Sequence, residues 1–362
     1  MPNVPPLRFP EFSGEWEKCK NEEIFSVVTE KNKQRLYENV LSASQQYGMV
    51  ERSSLGIDVK FEEDSIVTYK IVRKGDYVIH LRSFQGGFAF SDNTGVCSPA
   101  YTILRPVNKL QYGFLRPYFV SKKFIDTLRI VTYGIRDGRS ISVEEWLKLK
   151  TSIPHPHEQN KILSFLSLID KRIETQIRVI DKLESLIKGI SKMLLAKQGN
   201  TCIKDCLICN SSTLQESTVS ESGKYPAWGA TGISGYIKTP QVEQDAILII
   251  KDGASVGNVR YVSGRYGVIG TLNYLTAKSG YNLKYLYFCL RIFNFTPFIT
   301  GLAIPHIYFR DYGNAQIYCP NISDQKQIAE ELSNIEGKIE IEKQILDKLK
   351  EQKNYLLSQM FI

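Results

Sequence analysis

The sequence predicts an α+β protein: two strand-rich globular domains separated by two long antiparallel coiled-coil helices, the whole an internal repeat with pseudo-two-fold symmetry. Three observations predict this. Shifting the 362-residue chain by 166 positions lays Pro154–Leu183 on Pro320–Leu349 without a gap, and eleven of the thirty pairs are identical, among them Pro154/Pro320, Gln159/Gln325, Ile162/Ile328, Leu166/Leu332, Ile173/Ile339 and Leu183/Leu349. Both copies carry apolar residues at alternating steps of four and three, the seam of a coiled coil. The segments between them change composition to Gly, Tyr, Phe and short β-branched runs.

The elements follow in chain order. Residues 1–152 form the first globular domain, with strand signals such as Tyr77-Val78-Ile79-His80 punctuated by Gly-containing turns. Residues 153–198 form the first helix: Pro154 precedes it, Glu158 stands in its first turn where the helix dipole favours an acid, and Ile162, Leu166, Ile169, Ile173, Ile180, Leu183, Ile187, Ile190 and Leu194 make its seam, interrupted at Gln176. Residues 199–320 form the second domain, whose Gln244-Asp245-Ala246-Ile247-Leu248 echoes Gly75-Asp76-Tyr77-Val78-Ile79. Residues 321–362 form the second helix, with Asp324 in its first turn and a seam from Ile328 to Met360 interrupted at Glu342 and Lys353. About 40 residues at 1.5 Å each make a helix about 60 Å long, more than a compact domain of this size uses, which argues against two ordinary amphipathic helices each packed on its own domain. With the order domain, helix, domain, helix, a second helix that pairs with the first along its seam must run back, so one chain imitates a symmetric dimer.

Composition excludes several classes. The longest aliphatic run, Ala246–Ile250, is far short of the roughly 20 residues of a membrane span, and Met1–Arg8 lacks the basic start and apolar core of a secretion signal. Seven cysteines without a regular framework predict reduced thiols in a cytoplasm. The net charge of +8 fits a polyanionic partner without requiring one.

No catalytic constellation emerges. There are four histidines and no H-E-x-x-H signature. Cys202, Cys206 and Cys209 lack an obvious fourth metal ligand, and Cys202, Ile203, Cys206 and Leu207 read as an apolar stripe packed in the core. The glycines of Trp228–Gly235 and Asp252–Gly257 match neither phosphate-loop spacing and read as turns. What remains is a set of polar residues on Gly-rich loops, of the types that hydrogen-bond base edges and phosphates. In the first domain these are Arg82, Gln85, Arg136, Arg139 and Ser140; in the second, Lys224, Trp228, Lys251, Ser255 and His306. One such set on each of two similar domains suggests the reading of two separate patches on a long ligand.

The chain resembles the DNA specificity subunit of type I restriction-modification systems over essentially its whole length. The resemblance rests on Leu7-Arg8-Phe9-Pro10-Glu11-Phe12 with Gly14-Glu15-Trp16, on Pro154 with Glu158-Gln159 and Ile162 echoed by Pro320 and Asp324–Ile328, on Ile169–Ile173, and on Tyr225–Tyr236. It departs at the start of the second domain, where Thr201–Cys206 offer no counterpart to Trp16. The resemblance implies a non-catalytic DNA reader. Each globular domain would be a target recognition domain binding one half of a bipartite, asymmetric site in double-stranded DNA, and the helices would set the gap. Two methyltransferase (modification) subunits and the restriction/translocase subunits would be its partners, with no cofactor on this chain: S-adenosylmethionine, ATP and Mg would belong to those partners. The absence of an Asn-Pro-Pro-Tyr methylation motif, a Walker lysine loop and any Pro-Asp dipeptide agrees with that division of labour. The alternative is a coiled-coil adaptor joining two protein-binding domains, with DNA uninvolved.

Overall fold

The computed structural model describes residues 3–44, 47–55, 63–80, 87–107, 109–133, 140–301 and 303–362. The chain divides into two compact units, one of Met1–Thr175 with Ile345–Ile362 and one of Gln176–Gln344. The helices Pro156–Leu195 and Ile322–Met360, of 40 and 39 residues, each contribute one part to either unit.

The first unit is built on an antiparallel sheet whose spatial order is Phe25–Val28, Thr102–Pro106, Tyr77–Ile79, Phe88–Phe90. Strand residues alternate between faces, and both faces are covered. Tyr77, Ile79 and Phe88 join an aromatic core with Phe119, Phe124 and Trp146, while Val78, Ala89 and Ile103 pack against Leu41 and Met49 on the other side. The second unit has a sheet of the same connectivity: Leu207–Ser211, Leu272–Ala277, Ala246–Ile250, Val259–Val262. Its Ala246–Ile250 run is continuously apolar because Ile247 and Ile249 face the core under helix Leu283–Ile292, while Ala246, Leu248 and Ile250 face a second core with Tyr266 and Val268. In each unit the first strand of the sheet is therefore followed in space by the last, then the second and third. A smaller sheet of Gly232–Ile237, Tyr225–Gly229 and Gly267–Val268 adjoins the second core.

The start of the second domain, left open by the lack of a Trp16 counterpart, has the same elements as the first. Glu17–Lys20 pairs with Lys150–Ile153 and leads through the turn Asn21–Ile24 into the sheet; Thr201–Cys202 pairs with Gln316–Ile317 and leads through Ile203–Cys206 into its sheet. Of the stripe Cys202, Ile203, Cys206 and Leu207, the last three are buried in the core as their spacing predicts, while Cys202, on the short strand Thr201–Cys202, is only half-buried.

Two repeat identities become intelligible here. Gln159 and Gln325 are 0% and 2% exposed at the starts of the long helices. The Gln159 amide donates to the carbonyls of Pro154 and Lys109, both at 2.9 Å, and accepts the Gln111 N–H at 2.8 Å. Gln325 donates to Pro320 at 2.8 Å and accepts the Asn282 N–H at 2.9 Å, and Asn282 is the N-cap of helix Leu283–Ile292. Buried backbone groups need such partners, so each glutamine ties a helix start to its own globular portion.

The seam residues point inward within each unit. Ile162 and Leu166 pack with Leu356, Leu357 and Met360 in the first. Ile187 packs with Leu332 and Ile339 in the second. The polar interruptions are paired. Gln176 Nε2 donates to the Glu342 carboxylate at 2.5 Å and to its carbonyl at 3.0 Å, and Lys353 meets Asp170 at 2.5 Å.

Candidate nucleic-acid interface

Of the ten loop residues singled out in the sequence, Arg82, Gln85, Arg136 and Arg139 lie outside the described residues. Ser140 is exposed, but it stands on a strand rather than a loop: Ser140–Ile141 pairs with Thr132–Tyr133.

In the second unit, Lys251 and His306 are brought together because two loops pair along their backbones, and Ser255 follows three residues after Asp252, the bridge partner of His306. The Lys251 carbonyl accepts the Ile307 N–H at 2.9 Å, the Gly253 N–H reaches the Pro305 carbonyl at 2.9 Å, and His306 exchanges backbone hydrogen bonds with Thr300 at 2.9 and 2.8 Å. The His306 ring has Nδ1 3.2 Å from the Ile304 carbonyl and packs edge-on to Tyr308 at 5.0 Å. Ser255 is exposed at the crest of its turn, where its carbonyl accepts the Asn258 N–H at 3.1 Å. The turn ends at Gly257, whose φ of +87° and contact with the Phe295 ring leave no room for a side chain. That close approach fixes the loop against the globular portion.

Trp228 requires a correction, whereas Lys224 stands in a bend as expected: the stretch that follows Lys224 is not a loop but strand Tyr225–Gly229, the central strand of its small sheet. Pro226 is tolerated there because the parallel partner Gly267–Val268 pairs only from Ala227 onward. The strand separates the two residues: four positions at about 3.3 Å each put Lys224 about 13 Å from Trp228. Lys224 stands exposed with Nζ 5.3 Å from the Tyr225 ring, and the hydrogen bond from Lys224, aided by one from Arg265, holds the Tyr225 phenol below its ordinary pKa. Trp228 is half-buried at the other end. The Arg260 guanidinium lies over its ring at 5.0 Å, and its indole Nε1 is buried without a hydrogen-bond partner among the described residues.

Arg260 was missed by the sequence reading. It occupies an ordinary-looking strand, Val259–Val262, with no glycine to mark it. It lines a cleft of about 480 Å³ together with Asn258, Arg291, Asn294 and Thr296, with Ala230, just after the Trp228 strand, and Val256 and Gly257, just after Ser255, also at its wall. Among the described residues, no cluster of three or more His, Cys, Asp or Glu side chains is placed to hold a metal ion, and no helix is long and apolar enough to cross a membrane.

The family model for the type I restriction modification DNA specificity domain matches residues 13–185 and again residues 201–351. The chain belongs to this type I specificity-domain family. The two specificity-domain matches fall on the two copies of the fold. Curated relatives include the EcoprrI type I restriction enzyme specificity subunit of Escherichia coli, 27% identical over 109 residues, or 30% of this chain and 27% of the relative. A putative type I specificity subunit of Mycoplasma genitalium is 24% identical over 204 residues, 49% of this chain and 51% of the relative. The matched stretches thus span about a quarter to a half of the length of these two relatives. Solved structures of similar fold include a type I restriction-modification S subunit from M. genitalium, at 17% identity, a TM-score of 0.62 and 99% coverage of both chains. A chain solved in work on complex assembly and conformational transition of the type I restriction-modification system has a TM-score of 0.62 at 14% identity, covering 98% of this chain and 99% of that one.

Proposed function

We propose that this chain is the sequence-specific DNA-recognition subunit of a type I restriction-modification complex. Each globular domain reads one half of a bipartite, asymmetric site in duplex DNA, and the chain directs methyltransferase and restriction subunits to it. The observation that carries this reading is the twofold match of the specificity-domain family to a chain whose two units repeat one sheet connectivity. The domain limits are 1–152 and 199–320 for the readers and 153–198 and 321–362 for the helices. The first reader contacts DNA through Arg82, Gln85, Arg136, Arg139 and Ser140, the second through Lys224, Trp228, Lys251, Ser255 and His306.

The chain itself is non-catalytic and holds no cofactor. Methyl transfer from S-adenosylmethionine belongs to two modification subunits, and ATP- and Mg-dependent translocation and cleavage to restriction subunits, all in the cytoplasm. The long helices pair antiparallel about a pseudo-two-fold axis and set the gap between the half-sites. Supporting this is the contact between Gln176 and Glu342: they are equivalent positions of the 166-residue repeat, and contact between equivalent positions is what a two-fold axis produces.

The test is a domain exchange. Replacing residues 16–152 by the corresponding domain of another specificity subunit, in cells carrying the modification subunit, is expected to change one half of the methylated sequence and leave the other intact. Changes in both halves reject modular reading, and purified complex that binds no defined duplex rejects DNA recognition.

A further inference from the structure

We propose that Arg260 is a base-reading residue of the second recognition domain, aimed by Trp228 and seated in the cleft beside the Ser255 loop. The proposal rests on the DNA-reading function above and adds to it a residue that the loop pattern did not reveal.

The two cations of the cleft differ in what already holds them. Arg291 is committed, with Nη1 2.8 Å from Glu336, whose other oxygen takes Lys284 at 3.0 Å. Arg260 has no carboxylate partner among the described residues; its guanidinium lies over the Trp228 ring at 5.0 Å. An arginine held on an aromatic face keeps its five donors in a fixed fork while the ring restricts its rotamers, so little freedom is lost when the fork meets a planar acceptor pair. Guanine presents such a pair, O6 and N7, in the major groove. Asn258, two residues earlier on the same rim, has a side-chain amide that is also unpartnered among the described residues. Asn258, Arg260, Arg291, Asn294 and Thr296 thus give the cleft a set of hydrogen-bonding groups over an otherwise apolar wall, and the Trp228 ring orients Arg260 from beside it.

Position supports the same reading. Val256 and Gly257 of the cleft wall directly follow Ser255, and Asp252 of that loop bridges to His306. Arg260 therefore sits close to the loop that carries Ser255 and pairs with the His306 loop, whereas Lys224 lies at the far end of the Trp228 strand. A phosphate contact would need only the charge; the stacked, uncommitted fork supplies geometry as well.

The experiment uses the full chain assembled with its modification subunits. The target is first defined by mapping methylated adenines in cells carrying the wild-type complex. Arg260→Lys keeps the charge and the aliphatic stem but loses the fork. It is expected to relax one position of the second half-site, leave the first half-site consensus unchanged, and lower affinity for the mapped duplex about 5- to 150-fold with little change on a scrambled duplex of the same composition. Retention of the first half-site consensus shows that the variant is folded and assembled, and Arg260→Ala should show the same relaxed position. An unchanged consensus with target affinity within about twofold overturns the proposal, as do equal losses on both duplexes, which assign Arg260 to the phosphates. If the wild-type complex itself yields no bipartite consensus, the DNA-reading function has failed rather than the assignment of this arginine.

Discussion

Glu158→Gln tests how the first unit is closed. Glu158 is 1% exposed and Arg8 13%. The carboxylate accepts Arg8 Nε and Nη2, each at 2.7 Å, and the Trp16 indole N–H at 3.2 Å. Glutamine keeps the shape but turns one acceptor into a donor facing the guanidinium, leaving a buried charge without its counter-ion. Removing one partner of a buried ion pair costs about 3–5 kcal/mol. Arg8 retains the carbonyls of Ser13 and Gly14, which places the expected loss at the lower end, about 3 kcal/mol. For a unit of about 190 residues that corresponds to a Tm about 6–12 °C lower, or a urea midpoint lower by about 1.5 M at a slope of about 2 kcal/mol/M. The assay is urea unfolding followed by fluorescence in a Trp228→Phe background, where the remaining tryptophans, Trp16 and Trp146, both report on the first unit. Adding Arg8→Met to Glu158→Gln removes the stranded charge and should recover at least half of the loss. The repeat supplies a control: Asp324, the counterpart of Glu158, is exposed, and among the described residues its carboxylate accepts a hydrogen bond only from Asn321, three residues before it, so Asp324→Asn should cost under about 0.5 kcal/mol. A Glu158→Gln midpoint within about 0.3 M of its parent, or additive losses in the double variant, refutes the ion-pair reasoning.

Further outcomes are expected. Gln159→Leu and Gln325→Leu should each cost about 1–3 kcal/mol, because each strands a buried backbone N–H and carbonyl; faster amide exchange at Gln111 and Asn282 respectively is the check, and unchanged exchange counts against the clamp. Burial pushes the Cys97 and Cys289 thiols up to about 12. The unfolded thiols lose their protons near pH 9, so stability falls as pH rises from about 9 toward 12, by up to about 1.4 kcal/mol per pH unit for each thiol. Cys97→Ala should flatten that decline for the first unit, and parallel pH profiles for variant and parent would contradict it. Inserting seven residues into each long helix, after Thr175 and after Gln344, adds about 10 Å, or three base pairs at 3.4 Å; adenine-methylation mapping should show a wider gap between unchanged half-sites, and an active variant with the original gap removes the ruler.

The repeat, the two long helices and the strand-rich character of the segments between them were legible in the sequence because each is a local periodicity. A 3.5-residue seam or a run such as Ala246–Ile250 carries its own signature whatever it packs against. The same legibility extended to family membership, since ordered motifs survive as strings. Sequence could also mark Gln159, Gln325, Gln176 and Glu342 as repeat positions, but not say what they do. That two glutamines clamp helix starts, and that the seam's interruptions at Gln176 and Glu342 meet each other, depends on groups 43 to 166 residues apart in the chain. Tertiary structure likewise moved Trp228 from a loop to a strand, separated it from Lys224, and brought Arg260 onto its face. Nothing local distinguishes an arginine on a strand that is solvated from one that is stacked and unpaired. The difference lies in which side chains the fold carries to it, and strand pairing across long loops decides that.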